Sequence, residues 1–510
     1  MGTEREALEG QAPPGCDPRL QGGIMRVEPM PHSKSPQLDL HPEPLVDELT
    51  APPSPIQAFE ALREQPMGFL LDSGMDGHGL GRFSFVGCQP FLVLRSHGRE
   101  VRVEDTSGNV EGLTGDPLTI LGGLLARYRM GRGRWPGPFP GGAVGYLGYD
   151  LGRILEPLPS RAKDDLRLPE TYLGFYDTVA VFDHYTGRCY LMSTGYPELD
   201  PAPGRERARE RLSHLRELLS TPSLPPYPDS GPCPAGELRG NFTRQGYEQA
   251  VETARGYIAA GDIFQVNLSQ RYEAPLRIPP WELYLKLRDL NPAPFAAYLN
   301  FKDAIVASAS PELFLKLRGD RVETRPMKGT RPRGATPGED EAQARELLSS
   351  AKDRAENVMI VDLERNDIGR VCRFGSVKVR QLHTLEKYAT VFQLTSTVEG
   401  RLREGLGAVD LLRATFPGGS VTGAPKVRAM EIIDELEPTR RGPYTGAIGY
   451  LGFDGNMELN IAIRTFVITG GRVYFQVGGA VTYDSSPQAE YQETLDKAKA
   501  LMQALGVATL

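Results

Sequence analysis

The sequence predicts a mixed α/β or α+β chain in which helices alternate with many short, glycine-punctuated strands. Three observations carry that class. Apolar residues make up 40% of the 510, enough for one large two-part fold or two to four domains. Short runs alternate apolar and polar residues and are cut by glycine-containing turns, the pattern of strands and hairpins. Between them lie stretches of helical periodicity that begin at Ser, Thr or Pro.

Residues 1–45 are rich in Pro, Gly and charge without periodicity, and are expected to be a disordered extension or an over-extended start upstream of Met25 or Met30. Residues 46–220 form an N-terminal region. It opens with a helix over 56–63 and strands within 68–73 and 81–87, then a hairpin across 91–103 about His97-Gly98. A helix over 117–128 precedes a small-residue strand within 139–149, suited to close backbone packing, and a hairpin over 175–193. A charged helix over 203–219 leads into 221–240, whose Pro, Ser and Gly content reads as a linker. In the remaining region, 241–510, Thr243 is placed to cap a helix over 245–260, followed by a strand over 264–272 and a helix over 280–290. Strands at 304–308 and 313–317 lead to a basic loop, one long helical pattern runs from Gly338 to Asp367, and the last helix covers 487–505.

Charge and composition exclude several function classes. A net charge of −7 argues against a nucleic-acid binder or a basic membrane-surface protein, and no apolar run approaches membrane-spanning length. The N-terminus lacks the apolar core of a secretory signal. Five cysteines, Cys16, Cys88, Cys189, Cys233 and Cys372, stand singly, which disfavours a zinc knuckle or a disulfide framework and fits a reducing, cytoplasmic location. Neither a Walker A loop nor a dinucleotide fingerprint is present. Small molecules or another protein are the expected partners.

Chemistry concentrates in a few places. Arg325-Pro326-Met327-Lys328-Gly329-Thr330-Arg331-Pro332-Arg333-Gly334 sets one lysine between two prolines, on a shaped loop or strand end, and reads equally as a solvated anion patch. Glu356 lies on an apolar-leaning helix side with Lys352 one turn back as an ordinary ion-pair partner. Glu490, Glu493 and Lys497 share one face of the last helix, which by periodicity alone is a solvated face. Glutamates converging from separate helices could instead hold Mg²⁺. Arg464 alternates with apolar residues on an apparent strand and offers a two-pronged fit to a carboxylate, or is a strand-edge charge. Gly478-Gly479-Ala480, after a strand, is either an anion-facing backbone or a plain turn.

Taken with Ile258-Ala259-Ala260-Gly261-Asp262-Ile263-Phe264-Gln265-Val266-Asn267, Asp362-Leu363-Glu364-Arg365-Asn366-Asp367, residues 416–426, Arg428-Ala429-Met430-Glu431 and Glu490-Tyr491-Gln492-Glu493-Thr494, the chain resembles the chorismate-utilising enzymes. That family includes anthranilate synthase component I, aminodeoxychorismate synthase component I, and isochorismate and salicylate synthases. The resemblance runs through residues 240–505 in order, and the first half is similar to the more variable region of the aminating members, at Leu70-Leu71-Asp72-Ser73 and Gly81-Arg82-Phe83.

The resemblance implies an α+β fold, a large two-sheet β-sandwich with helices outside and the site in a cleft, in which both halves of the sequence interleave. It implies Mg²⁺ on Glu356 and Glu493 with Glu490 beside them. Substrate carboxylate binding falls on Arg464, Gly478 and Gly479, with Gly329, Thr330, Ser420, Tyr444 and Lys497 nearby. Two positions depart from the family: Ala480 stands where glycine is usual, and Gln393 replaces a histidine common in the aminating members. Gln265 occupies the place of a water-activating lysine, and a neutral amide cannot be that base. Lys328 matches members that aminate chorismate at C4 through a covalent lysine; Asn267, Asn357 and Thr422 point the same way.

The expectation is therefore Mg²⁺-dependent C4 amination of chorismate towards 4-aminobenzoate and folate, with Lys328 and Glu356 catalytic. Alternatives are anthranilate formation towards tryptophan, or a non-catalytic chorismate- or amino-acid-binding subunit. No cysteine sits in a glycine-rich nucleophile turn, so ammonia is expected from a separate glutamine amidotransferase subunit in a heterodimer. Leu71, Ser73, Asn291, Pro292 and Phe295 resemble the tryptophan pocket of anthranilate synthases.

Overall fold

Period-two alternation explains how these strands bury both faces. In a computed structural model that describes residues 43–73, 80–220, 238–388 and 391–507, Phe69, Phe85, Val179 and Val181 point into one hydrophobic core, while their neighbours Leu70, Val86, Ala180 and Phe182 point into another. The first core also receives Val144, Tyr146, Tyr172 and Ile448, and so lies between two sheets. The second core and a further one fill the outer faces beneath the helices. Two twelve-stranded antiparallel sheets thus pack as a sandwich with helices outside, an α+β fold as expected.

The first sheet runs Leu45–Glu48, Arg188–Ser193, Thr178–Asp183, Phe83–Gly87, Phe69–Asp72, Phe295–Asn300, Ile305–Ser310, Thr465–Thr469, Arg472–Val481, Gln265–Pro275, Arg239–Gly240, with Gly423–Ala424 also paired to Gln265–Pro275. The second runs Met327–Pro332, Val391–Arg401, Arg321–Arg325, Leu313–Arg318, Met457–Ile461, Ala447–Gly452, Gly142–Leu147, Thr171–Tyr176, Leu92–His97, Glu100–Asp105, Val110–Thr114, with Lys378–Lys387 along Val391–Arg401. Each sheet joins a block of strands from the first half of the sequence to a block from the second at one seam: Leu71 pairs with Ala297 in the first sheet, and Gly145 with Gly449 in the second. A Cβ at Gly145 would lie 2.0 Å from the Tyr172 carbonyl oxygen, which accounts for the small residues of that strand.

Eleven α-helices are present among the described residues. Pro280–Leu290 matches its predicted span, and Thr243 caps Arg244–Ala259 through a hydrogen bond from the Gly246 N–H. The long pattern from Gly338 to Asp367 is two helices, Pro337–Ser349 and Ala351–Gly369. The second starts anew at Ser350, whose hydroxyl accepts from the Asp353 N–H at 3.2 Å. No helix among the described residues is long and apolar enough to cross a membrane. The expected N-terminal extension up to residue 42, and residues 221–237 of the expected linker, lie outside the described residues.

Candidate active site

Of the two placements expected for Lys328, a shaped loop or a strand end, the strand is the one observed. Lys328 lies in Met327–Pro332, the end strand of the second sheet, where proline is tolerated because one side carries no ladder. Lys328 pairs with Leu394 and Thr330 with Gln393, leaving Gly329 as the extra residue of a bulge at φ +78°. A Cβ there would come within 2.9 Å of Leu347 Cδ1 and 3.0 Å of Asp353 Cβ, so glycine is required on both counts. The bulge turns Lys328 inward, where its side chain is 10% exposed and Nζ lies 3.1 Å from Glu356 Oε1 and 3.5 Å from Asn267 Oδ1. Asn267 belongs to the first sheet, so the contact joins the two sheets. The neighbouring arginines do not converge on the amine: Arg325 pairs with Glu386, Arg331 with Glu346 and Asp353, and Arg333 with Asp340.

Glu356 takes Lys328 as its partner, not the expected Lys352. The ammonium of Lys352 acts on Glu490 and Glu493 instead. Those two glutamates flank Gly479, whose added Cβ would meet Glu490 Oε2 at 3.0 Å and Glu493 Oε1 at 3.3 Å. Gly478, Gly479 and Ala480 are therefore inside a strand, Arg472–Val481, and not in a turn after it. The shared face of the last helix is only partly solvated. Glu490 is buried, while Glu493 is 48% exposed and pairs with Lys497 at 2.7 Å; Lys497 also donates to the Gly478 carbonyl at 2.8 Å. Burial pushes the Glu490 carboxyl up, with Ser485 donating to it at 2.6 Å and the Glu493 charge adding to the rise. Partial burial also pushes Glu493 up, but the ammoniums of Lys497, Lys328 and Lys352 outweigh it and hold its carboxyl below the ordinary range.

One residue escaped the sequence reading. Glu312 is fully enclosed between the two sheets' strands Ile305–Ser310 and Leu313–Arg318, accepts a hydrogen bond from Ser420 Oγ at 2.6 Å, and feels the charges of Lys328 and Arg464. Burial pushes its carboxyl up to about 6 against those opposing influences. The available signal was a carboxylate, Ser310-Pro311-Glu312-Leu313, inside an otherwise apolar run.

Arg464, expected on a strand, lies between two. It sits at φ +51° in the step where the chain leaves Met457–Ile461 of the second sheet for Thr465–Thr469 of the first, half-buried, with Nη1 donating to Asn291 Oδ1 at 3.0 Å. Tyr444 is buried beside Arg441, whose guanidinium carbon is 5.8 Å from the ring centroid. Several buried polar atoms have no hydrogen-bonding partner: both amide atoms of Gln265, Nδ2 of Asn267 and Asn357, Oε1 of Gln393 and Oε2 of Glu490. A polar ligand would satisfy such groups. Leu71, Ser73 and Phe295 line a cavity with Phe83, Pro294, Tyr450 and Asn460; Asn291 and Pro292 do not line it.

Residues 122–503 match the family model for chorismate binding enzymes. The chain belongs to the chorismate-binding enzyme family. The family region thus begins within the helix Pro117–Arg127, well before the 240–505 stretch that carries the sequence resemblance. Aminodeoxychorismate synthase component 1 of Bacillus subtilis is 41% identical over 460 residues, 88% of this chain and 94% of the relative. Anthranilate synthase component 1 of Cereibacter sphaeroides is 44% identical over 444 residues, 86% and 88% of the two chains. The solved anthranilate synthase component I from Streptococcus pneumoniae is similar at TM-score 0.73 and 36% identity, covering 83% of this chain and 93% of its own. The menaquinone-specific isochorismate synthase from Escherichia coli shares the fold at TM-score 0.69 and 17% identity, covering 91% and 95%. The protein is a chorismate-utilising enzyme of the anthranilate/aminodeoxychorismate synthase component I type.

Proposed function

We propose that this family member is an aminodeoxychorismate synthase component, a cytoplasmic enzyme that replaces the C4 hydroxyl of chorismate with an amino group to give 4-amino-4-deoxychorismate for 4-aminobenzoate and folate synthesis. The observation that carries the reading is Lys328, turned inward by the Gly329 bulge between Glu356 and Asn267. Glu356, 3.1 Å from Nζ, is placed to take the proton the amine must lose before it attacks. The Nζ–C2 bond then forms, the ring double bonds shift, and the C4–O bond breaks. The departing hydroxyl takes a proton and leaves as water, and the buried carboxyl of Glu312, raised to about 6, is the acid suited to donate it. Ammonia next forms the C4–N bond, the double bonds shift back, and the C2–Nζ bond breaks to return Lys328. Ring hydrogens are conserved, and the sum is chorismate plus ammonia giving the aminated product plus water. Arg464, Ser420, Thr330, Tyr444, Lys497 and the Gly478-Gly479 backbone are assigned to substrate binding.

Mg²⁺ is part of the proposal. Among the described residues no group of three acidic, His or Cys side chains could hold a metal. A hard cation that keeps waters and takes ligands from its substrate needs only one or two carboxylates, however, and the unpartnered buried Oε2 of Glu490 beside Glu493 fits that demand. Two carboxylates, Glu356 and Glu493, would hold the ion, with Glu490 beside them. When bound it supplies positive charge to orient a substrate carboxylate and ease departure of the C4 oxygen. A glutamine amidotransferase subunit supplies the ammonia, in line with the component 1 names of the relatives.

Incubating the protein with chorismate, Mg²⁺ and ammonium salt, and identifying the product by mass spectrometry, tests the reading. The aminated, pyruvate-retaining product is expected, with Lys328→Ala reducing its formation by about a thousandfold or more. Direct release of anthranilate and pyruvate would sink the C4 assignment in favour of anthranilate synthesis, and absence of turnover even with an amidotransferase would point to a binding subunit.

A further inference from the structure

We infer that Arg441 is a positioning residue that holds the segments bearing Asn267, Ser420 and Tyr444 in place around Lys328, an inference that rests on the reading of Lys328 as the reacting group. Arg441 is 3% exposed and uses its whole donor fork. Nε donates to Glu437 Oε2 at 2.9 Å and Nη2 to Glu437 Oε1 at 2.7 Å; Nη2 also donates to the Asn267 carbonyl at 2.7 Å. Nη1 donates to the Val421 carbonyl at 3.0 Å and to Thr445 Oγ1 at 3.2 Å.

Each acceptor other than Glu437 is a site residue or the neighbour of one. Asn267 itself reaches Lys328, Val421 follows Ser420, which donates to Glu312, and Thr445 follows Tyr444. Glu437 extends the grip, because its Oε1 accepts from both the N–H and the hydroxyl of Ser269, two residues along the Asn267 strand. The hub is anchored from the first half of the chain: the Tyr149 ring lies 4.7 Å from the guanidinium, the Tyr149 N–H donates to the Gly442 carbonyl, and the Gly442 N–H donates to Asp150. A lysine ammonium, a point charge with three donors, cannot span these acceptors.

Removing Arg441 alone leaves the buried Glu437 without its partner, which risks misfolding, so the test pairs Arg441→Lys with the double variant Arg441→Met/Glu437→Gln. Each is checked for a cooperative melt near the wild-type temperature. Ammonium-dependent chorismate consumption is expected to fall about a hundredfold in kcat/KM. Combining either variant with Ser420→Ala should give losses well short of additive, because both changes act on one geometry. Hydrogen exchange should quicken in 262–275 and 416–426 while outlying strands stay protected. Additive losses, or unaltered exchange in those segments in a folded variant, would overturn the inference. If the wild-type protein does not consume chorismate, the functional reading falls, and the exchange pattern still decides whether Arg441 holds these segments.

Discussion

Burial holds the Glu364 carboxyl at about 8, against an opposing hydrogen bond from Thr324 Oγ1 at 2.7 Å; the charges of Glu312 and Asp367 add to the rise and Lys426 opposes it. The native side chain is thus mostly neutral at pH 7, one carboxyl behind the Glu312 that we assign as acid. Because its folded value lies above the ordinary 4.5, its contribution to stability is fully present below that value and is lost as pH rises through 8. Glu364→Gln keeps an acceptor for Thr324 and removes the titration. It is expected to melt with the wild type at about pH 4 and several degrees above it at about pH 9. Thermal melts across that range check this; parallel curves for the two proteins would contradict it.

Among the elements, the bulged strand Met327–Pro332 has the sharpest consequence. Gly329→Ala places a methyl against Leu347 and Asp353 in left-handed backbone, where the conformation alone costs about 1–2 kcal/mol. Denaturant unfolding should show at least that loss, and turnover should fall about a hundredfold as Nζ is displaced from Glu356. A variant stable and active as the wild type would mean that the bulge does not set the lysine. The sequence left this stretch open between a loop and a strand end because Pro326 and Pro332 look like turn signals, and its place at the end of a sheet reconciles them with a ladder. Pro280–Leu290 and the Thr243 cap were legible because proline at the first turn and a capping hydroxyl act locally. The break at Ser350 was hidden by unbroken helical periodicity on both sides, and Arg464 by apolar neighbours that mimic a strand. Glu312 gains its meaning only from burial against Ser420, Lys328 and Arg464, which no local pattern encodes.

Across the whole molecule, strands from the two halves are neighbours in both sheets, so neither half contains a complete sheet. Residues 241–510 expressed alone are expected to lack a cooperative melt and fixed aromatic packing, measured by near-ultraviolet circular dichroism; a sharp melt for that piece would show the halves to be separable. Convergence could not be read along the chain because it is made across the sandwich: Lys328, Glu356 and Asn267 come from an end strand, a helix and the opposite sheet. The family likeness named most of the residues, and the structure supplied their contacts. The intact mass of the full chain, taken after exposure to chorismate and Mg²⁺ without ammonia, bears most directly on the covalent role of Lys328. A species heavier by chorismate less one water, mapping to the Lys328 peptide and discharged by ammonium as 4-amino-4-deoxychorismate, is the predicted result; an unmodified chain that nonetheless forms that product when ammonium is added would contradict it.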